Sequence, residues 1–179
     1  MIHPALTPEH EAFRDSVRRF VAREILPHAA AWDEAGEFPR ELYRKAAAAG
    51  LFALGFPEAY GGVPADYFHP IASAEEFAQA GVGGLSASLF SHTIGAPPIA
   101  AVGSEALKRR VLPAILSGDK ISALAITEPT GGSDVASLKT TARRDGGDYV
   151  VEGEKAFITS GMRADYYTVA VRTGGPGAA

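Results

Sequence analysis

Ile126-Thr127-Glu128-Pro129-Thr130-Gly131-Gly132-Ser133-Asp134 lies shortly after Gly118, where the chain changes character. Upstream, apolar residues recur at the helical period; downstream, they alternate. Consecutive glycines let a backbone approach an anion closely, and the Ser133 hydroxyl with free amides can satisfy a phosphate or pyrophosphate. The same composition also makes a tight turn capped by Ser133 or Asp134. The stretch lacks the Gly-Lys-Ser/Thr of a P-loop and does not open a helix as a dinucleotide fingerprint does. Glycine chemistry alone leaves both readings open.

Working back from this stretch, the spacing predicts a helical domain over residues 1–118. Thr7 followed by Pro8 and Glu9 is an N-cap signal, and Phe13, Val17, Phe20, Val21 and Ile25 then share one face. A second helix is expected from Pro39 to Gly50, and a loop where breakers cluster between Gly55 and Gly62. Further helices are expected over about 70–80, 84–102 and, from a Ser104 cap, 104–116, with Pro113 bending or restarting the last. The apolar run from Leu85 to Val102 is interrupted by His92, Gly95 and Pro97-Pro98, and falls short of the roughly 20 apolar residues of a membrane span.

Working forward, residues 119–179 read as the first part of a β-domain. Ile121 to Ile126 is a short apolar run. Tyr149-Val150-Val151 lies between Asp145-Gly146-Gly147-Asp148 and Glu152-Gly153, and Ala156-Phe157-Ile158-Thr159 follows. Two hairpins would explain this spacing. In the last run Tyr167, Val169 and Val171 alternate with Tyr166, Thr168 and Arg172, the pattern of a half-buried strand. A β-domain ending there would leave an open edge, so the reading expects a truncated domain.

With 46% hydrophobic and 21% charged residues over 179 positions, the chain can bury a core. The net charge of −4 and the scattered basic residues argue against nucleic acid as a partner. The absence of cysteine removes disulfides and thiolate chemistry, and the five histidines show no metal-ligand spacing. No apolar signal core or Arg/Ser-rich transit segment opens the chain, so a cytoplasmic location is expected. Glu9, Glu11, Glu24, Glu75, Glu76, Glu152 and Glu154 fall at positions expected to face solvent. His92, alone in an apolar helix, is expected to be a satisfied core residue. Trp32, Tyr43 and Tyr60 show nothing beyond ordinary core or surface placement.

The run Ala125 to Pro129, followed after two residues by Gly132-Ser133-Asp134, resembles the signature of the acyl-CoA dehydrogenases. A second motif of that family recurs at Lys155-Ala156-Phe157-Ile158-Thr159-Ser160-Gly161, in the family order and spacing. The helical first half, the loop near Gly61, the helix start at Gly103-Ser104-Glu105 and the Gly118-Asp119 lead into the strands are similar too. The resemblance implies an α+β chain: an N-terminal α-helical domain, then the beginning of an antiparallel β-barrel-like domain, with the family's C-terminal helical bundle absent. It implies FAD, bound without a covalent link, an acyl-CoA substrate oxidised to trans-2-enoyl-CoA, electron-transferring flavoprotein as acceptor, and a homo-oligomer.

By the same resemblance the segment from Leu124 through Ile126, Thr127 and Gly132 to Ser133 runs along the flavin. Thr127 would bond its pyrimidine side, and Ser133 would reach phosphate and substrate. Phe157, Ile158 and Thr159 would cover the rest of the ring, with Thr159 on N5. Reduced flavin gains negative charge near N1 and O2, so preplaced hydroxyls favour reduction. The family often has tryptophan at Phe157; phenylalanine keeps the flat face but loses the indole N–H. Phe90 and Ile94, four apart on one helix face, match the helix that lines the acyl-tail pocket.

The proton-abstracting glutamate of the family belongs to the C-terminal domain, so no catalytic residue is expected within this chain, and Glu128 reads as a loop-fixing element. Thr127 and Thr159 are expected in strands, where threonine is also common for packing, and Phe90 with Ile94 has ordinary helix packing as its alternative. Two other functions remain open: a flavin-dependent acyl-CoA oxidase or monooxygenase, and a non-catalytic binding or assembly fragment.

Overall fold

The computed structural model describes residues 6–174. Helix α1 (Pro8–Phe20) starts as expected: the Thr7 hydroxyl accepts from the His10 amide at 3.4 Å, and His10 Nδ1 accepts from the Thr7 amide at 2.9 Å. Its apolar face continues through a π-helical turn, Val21–Ile25, both of whose terminal residues lie in the core. Helices α2 (Ala29–Ala35) and α3 (Glu41–Ala48) follow; α2 buries no residue fully, so it left no apolar period to read.

Helix α4 (Phe68–Ala78) lies along α1, with the Phe20 and Phe77 rings 6.0 Å apart. The run expected as one helix over 84–102 divides into α5 (Gly83–Ser91) and α6 (Ala96–Val102). Pro97 and Pro98 lack the amide hydrogens a continuous helix would need, and Thr93 to Gly95 turns between the two. Helix α7 (Glu105–Leu116) has the Ser104 cap and runs through Pro113 without interruption.

His92 ends α5 and is fully buried. Its Nε2–H donates to the Ile115 carbonyl at 2.7 Å, and its Nδ1 accepts from the Ser122 amide at 3.1 Å. One neutral tautomer satisfies both contacts, and burial lowers its pKa, which keeps that form. A single imidazole thereby joins α5, α7 and the first strand.

The strands are β1 (Ser122–Ala125), β2 (Thr141–Asp145), β3 (Asp148–Glu152) and β4 (Tyr166–Val169). The expectation of two hairpins is half met. β2 and β3 form one, turning at Gly146-Gly147, whereas β1 pairs with β4 in parallel, Ser122 beside Tyr166 and Ala125 beside Val169. Alternation does not give the direction of the partner, and in β4 the apolar residues Tyr167 and Val169 are the exposed ones while Tyr166 and Thr168 are half-buried. Ala156 to Thr159 is not a strand, since Phe157 takes a φ of +56°. No closed barrel forms among the described strands.

The helical and β portions are closely joined. Asp165 accepts from the Ile121 amide at 2.8 Å, from Lys120 at 3.3 Å and from Arg40. Gly118, with φ +72°, lies where any Cβ would come within 2.4 Å of the Tyr43 carbonyl oxygen. Only glycine fits that approach.

One expected solvent position is corrected. Glu76 is 2% exposed; it receives Arg18 at 2.9 and 3.0 Å, Gln79 at 3.2 Å and Arg14 at 3.7 Å, and so ties α1 to α4. It follows Ala72 by four residues and precedes Phe77, so the helical period itself places it on the buried face.

Candidate flavin and acyl site

β1 delivers the chain to Ile126 and Thr127 at the edge of the helical domain. A tight turn follows, closed by the Glu128 amide on the Gly131 carbonyl at 3.0 Å and its reciprocal at 3.1 Å. A Cβ on Gly132 would meet Thr127 Cγ2 at 3.3 Å and Oγ1 at 3.4 Å, so the glycine lies against the threonine side chain.

Glu128 holds this turn from beneath and is 5% exposed. Its carboxylate accepts from the Thr140 hydroxyl at 2.6 Å, the Thr140 amide at 2.8 Å, Lys155 at 2.9 Å and the Lys139 amide at 2.6 Å. The Thr140 hydroxyl first, then these other donors, keep the carboxyl far below the usual carboxylate range. A group so firmly ionised is a poor proton acceptor at neutral pH, and its position explains it as the anchor of the loop.

In the sequence Lys155 stands out only as the first residue of a motif; in the fold it is a brace. Its ammonium also donates to the Ile126 carbonyl at 2.9 Å, and the neighbouring Ala156 amide donates to the Thr127 carbonyl at 2.9 Å. These bonds lay Phe157, Ile158 and Thr159 beside the Leu124–Ser133 segment. Leu124, Ile126, Thr127 and Ile158 are half-buried; Gly132, Ser133 and Thr159 are exposed.

Phe157 is 93% exposed and carries the positive φ already noted, an unfavourable backbone for an aromatic residue. Among the described residues the hydroxyls of Thr127, Ser133 and Thr159 have no hydrogen-bond partner. An exposed flat apolar face and three unpartnered hydroxyls on the two joined segments fit a planar, polar-edged group such as a flavin.

A cavity of about 980 Å³ opens within the helical domain, between α4, α5 and the loops before them. Phe52, Phe56, Phe77, Ala87 and Phe90 form much of its apolar wall, and the Phe77 and Phe90 rings meet edge to face at 4.8 Å. Ile94 does not line it and is 54% exposed.

A trio of possible cation ligands, His10, Asp66 and His69, is assembled by the fold across a separation that spacing could not reveal, its ligand atoms within 4.8 Å of one another. The Thr7 amide, however, occupies the Nδ1 lone pair of His10, which leaves the proton on Nε2 and aims it at Asp66 Oδ1, 2.9 Å away. Asp66 also accepts from His69 at 3.0 Å and the Phe68 amide at 3.0 Å. The trio is a hydrogen-bonded cap for the starts of α1 and α4. Among the described residues no helix is long and apolar enough to cross a membrane.

Residues 7–119 match the model of the acyl-CoA dehydrogenase N-terminal domain, and residues 123–179 that of the family's middle domain. The pig mitochondrial long-chain specific acyl-CoA dehydrogenase is 38% identical over 172 residues, covering 96% of this chain and 40% of that protein. A crystal structure from Mycobacterium smegmatis, provisionally assigned as an acyl-CoA dehydrogenase, is 53% identical with a TM-score of 0.91, covering 96% of this chain and 45% of the other. The Bacillus anthracis acyl-CoA dehydrogenase, solved with FAD, is 34% identical with a TM-score of 0.86, covering 96% and 30%. This chain thus spans less than half the length of these relatives. FAD is the cofactor of the family, and the outward hydroxyls and aromatic face described above fit it. With both domain models matched end to end along the same fold, the chain belongs to the acyl-CoA dehydrogenase family.

Proposed function

We propose that the protein containing this chain oxidises an acyl-CoA thioester across its α,β bond to the trans-2-enoyl-CoA. The observation that carries this reading is the pair of segments locked together by Lys155 and Glu128, each presenting unpartnered hydroxyls, in a chain whose helical domain opens an apolar cavity. FAD, when bound, supplies the two-electron acceptor that takes the β-hydrogen as hydride. Thr127 places a hydroxyl where negative charge grows on reduction, and Thr159 orients the accepting edge. Phe157 covers the ring and keeps water away. Gly132 and Ser133 offer amide and hydroxyl donors to phosphate and substrate.

Family membership implies that the α-proton passes to a glutamate of the C-terminal domain; Glu128, committed to its four donors, is not the base. Electron-transferring flavoprotein is the acceptor implied by family membership, and the assembly is a homo-oligomer. Anaerobic mixing of full-length, FAD-loaded protein with acyl-CoAs of graded length tests the function. Stoichiometric flavin bleaching with enoyl-CoA formation is expected; protein that shows no flavin absorbance after reconstitution with FAD would overturn the reading.

On this reading Phe90, which lines the cavity, takes part in selecting the acyl tail. Phe90→Ala frees volume for added methylenes, each worth about 0.8 kcal/mol when buried. The kcat/KM optimum is expected to move to longer chains by roughly the methylenes that fill the freed space. A uniform loss across chain lengths, with lowered stability, would instead mark Phe90 as packing alone.

A further inference from the structure

Tyr43 is wholly buried in the helical core, yet its hydroxyl reaches out to Ser160 Oγ at 3.2 Å, one residue beyond Thr159. Ser160 has a φ of +62° and Phe157 one of +56°, two non-glycine residues in the left-handed region of one short turn. Such a turn persists where its surroundings over-determine it. Inside the turn, the Gly161 amide donates to the Ile158 carbonyl at 2.8 Å and the Arg163 amide to that of Ser160 at 3.0 Å.

The remaining support comes from the helical domain. The Arg163 guanidinium lies 5.0 Å from the Phe38 ring centre and 5.8 Å from that of Tyr43, and donates to the Phe38 carbonyl at 2.9 Å. Arg40 donates to the Arg163 carbonyl at 3.1 Å. These contacts hold the far end of the turn, whereas Tyr43 holds the residue next to Thr159. The Tyr43 ring also packs 5.0 Å from His92, which holds the Ser122 amide at the start of β1. One buried tyrosine therefore abuts the supports of both flavin segments.

We propose that Tyr43 is a positioning residue of the flavin site: through its hydroxyl bond to Ser160 it fixes the Phe157–Thr159 turn, so the helical domain sets where the Thr159 hydroxyl lies. The inference rests on the flavin reading above and adds to it a residue from the helical core. Tyr43→Phe keeps the ring and removes the bond, and Ser160→Ala removes the bond from the other side. Ser160→Gly removes the hydroxyl while relaxing the positive φ.

The test is the reductive half-reaction and flavin reduction potential of full-length, FAD-loaded protein. Tyr43→Phe is expected to slow reduction roughly 3- to 30-fold and shift the potential, with KM for acyl-CoA unchanged, because an orienting contact acts on the reacting geometry. Ser160→Ala and Ser160→Gly should reproduce the deficit, and Tyr43→Phe combined with Ser160→Ala should be no worse than either alone. Flavin-loaded variants with wild-type rate and potential, or deficits that multiply in the double variant, would overturn the inference alone. A wild-type protein that binds no flavin would overturn the site reading and this inference with it.

Discussion

Full-length protein carrying Thr159→Val is expected to reduce its flavin roughly 10- to 1000-fold more slowly than wild type, the range for losing one preorganised polar contact at a reacting centre. Valine keeps the branched shape and removes only the hydroxyl. That hydroxyl bonds to nothing among the described residues and is exposed, so folding stability should stay within about 0.5 kcal/mol of wild type. The effect should therefore appear in rate and not in melting temperature. Anaerobic stopped-flow reduction by acyl-CoA measures it, and an unchanged rate would remove Thr159 from the site.

Lys155→Met should act in the opposite way, through stability. The side chain is 10% exposed, and its ammonium is shared between Glu128 and the Ile126 carbonyl, each at 2.9 Å. Removing it leaves a buried carboxylate short of its cation and a carbonyl without its donor, a loss of about 2–4 kcal/mol by chemical denaturation. The Glu128 carboxyl is held well below its usual range, so its stabilising contribution is complete above the unfolded value of about 4.3 and fades as pH falls toward the folded one. Melting temperature should decline as wild type is acidified below that value. Glu128→Gln, with no charge to lose at this position, should show a lower starting point and a shallower decline. Parallel acid limbs for the two proteins would show that the carboxylate is not coupled to folding.

The start of α1 was legible because Thr7 and the 17, 20, 21, 25 spacing are local signals, and a capping residue acts within one turn. Ser104 announced α7 in the same way. The division at Thr93 to Gly95 was visible as Gly95 and Pro97-Pro98, but helical hydrophobicity on both sides outweighed it. What stayed hidden was set by distant partners. The parallel pairing of β1 with β4 and the bond from Tyr43 to Ser160 both join residues far apart in the chain. The candidate site was legible as two motifs. Its bracing was not: Lys155 looks like any surface lysine until the fold buries it beside Glu128.

The parallel register of β4 on β1 also orders events in time. Residues Ser122–Ala125 emerge from the ribosome about forty residues before the strand that completes them, so the helices, built from contacts close in sequence, can form while β1 still waits. Until Lys155 and Ala156 emerge, the Thr127 turn has neither to hold it, and throughout the interval β1 lacks its β4 partner. Nascent chains arrested in this window would be the ones most exposed to strand-mediated aggregation, and the arrival of Tyr166–Val169 ends that exposure by closing the first wall of the β-domain.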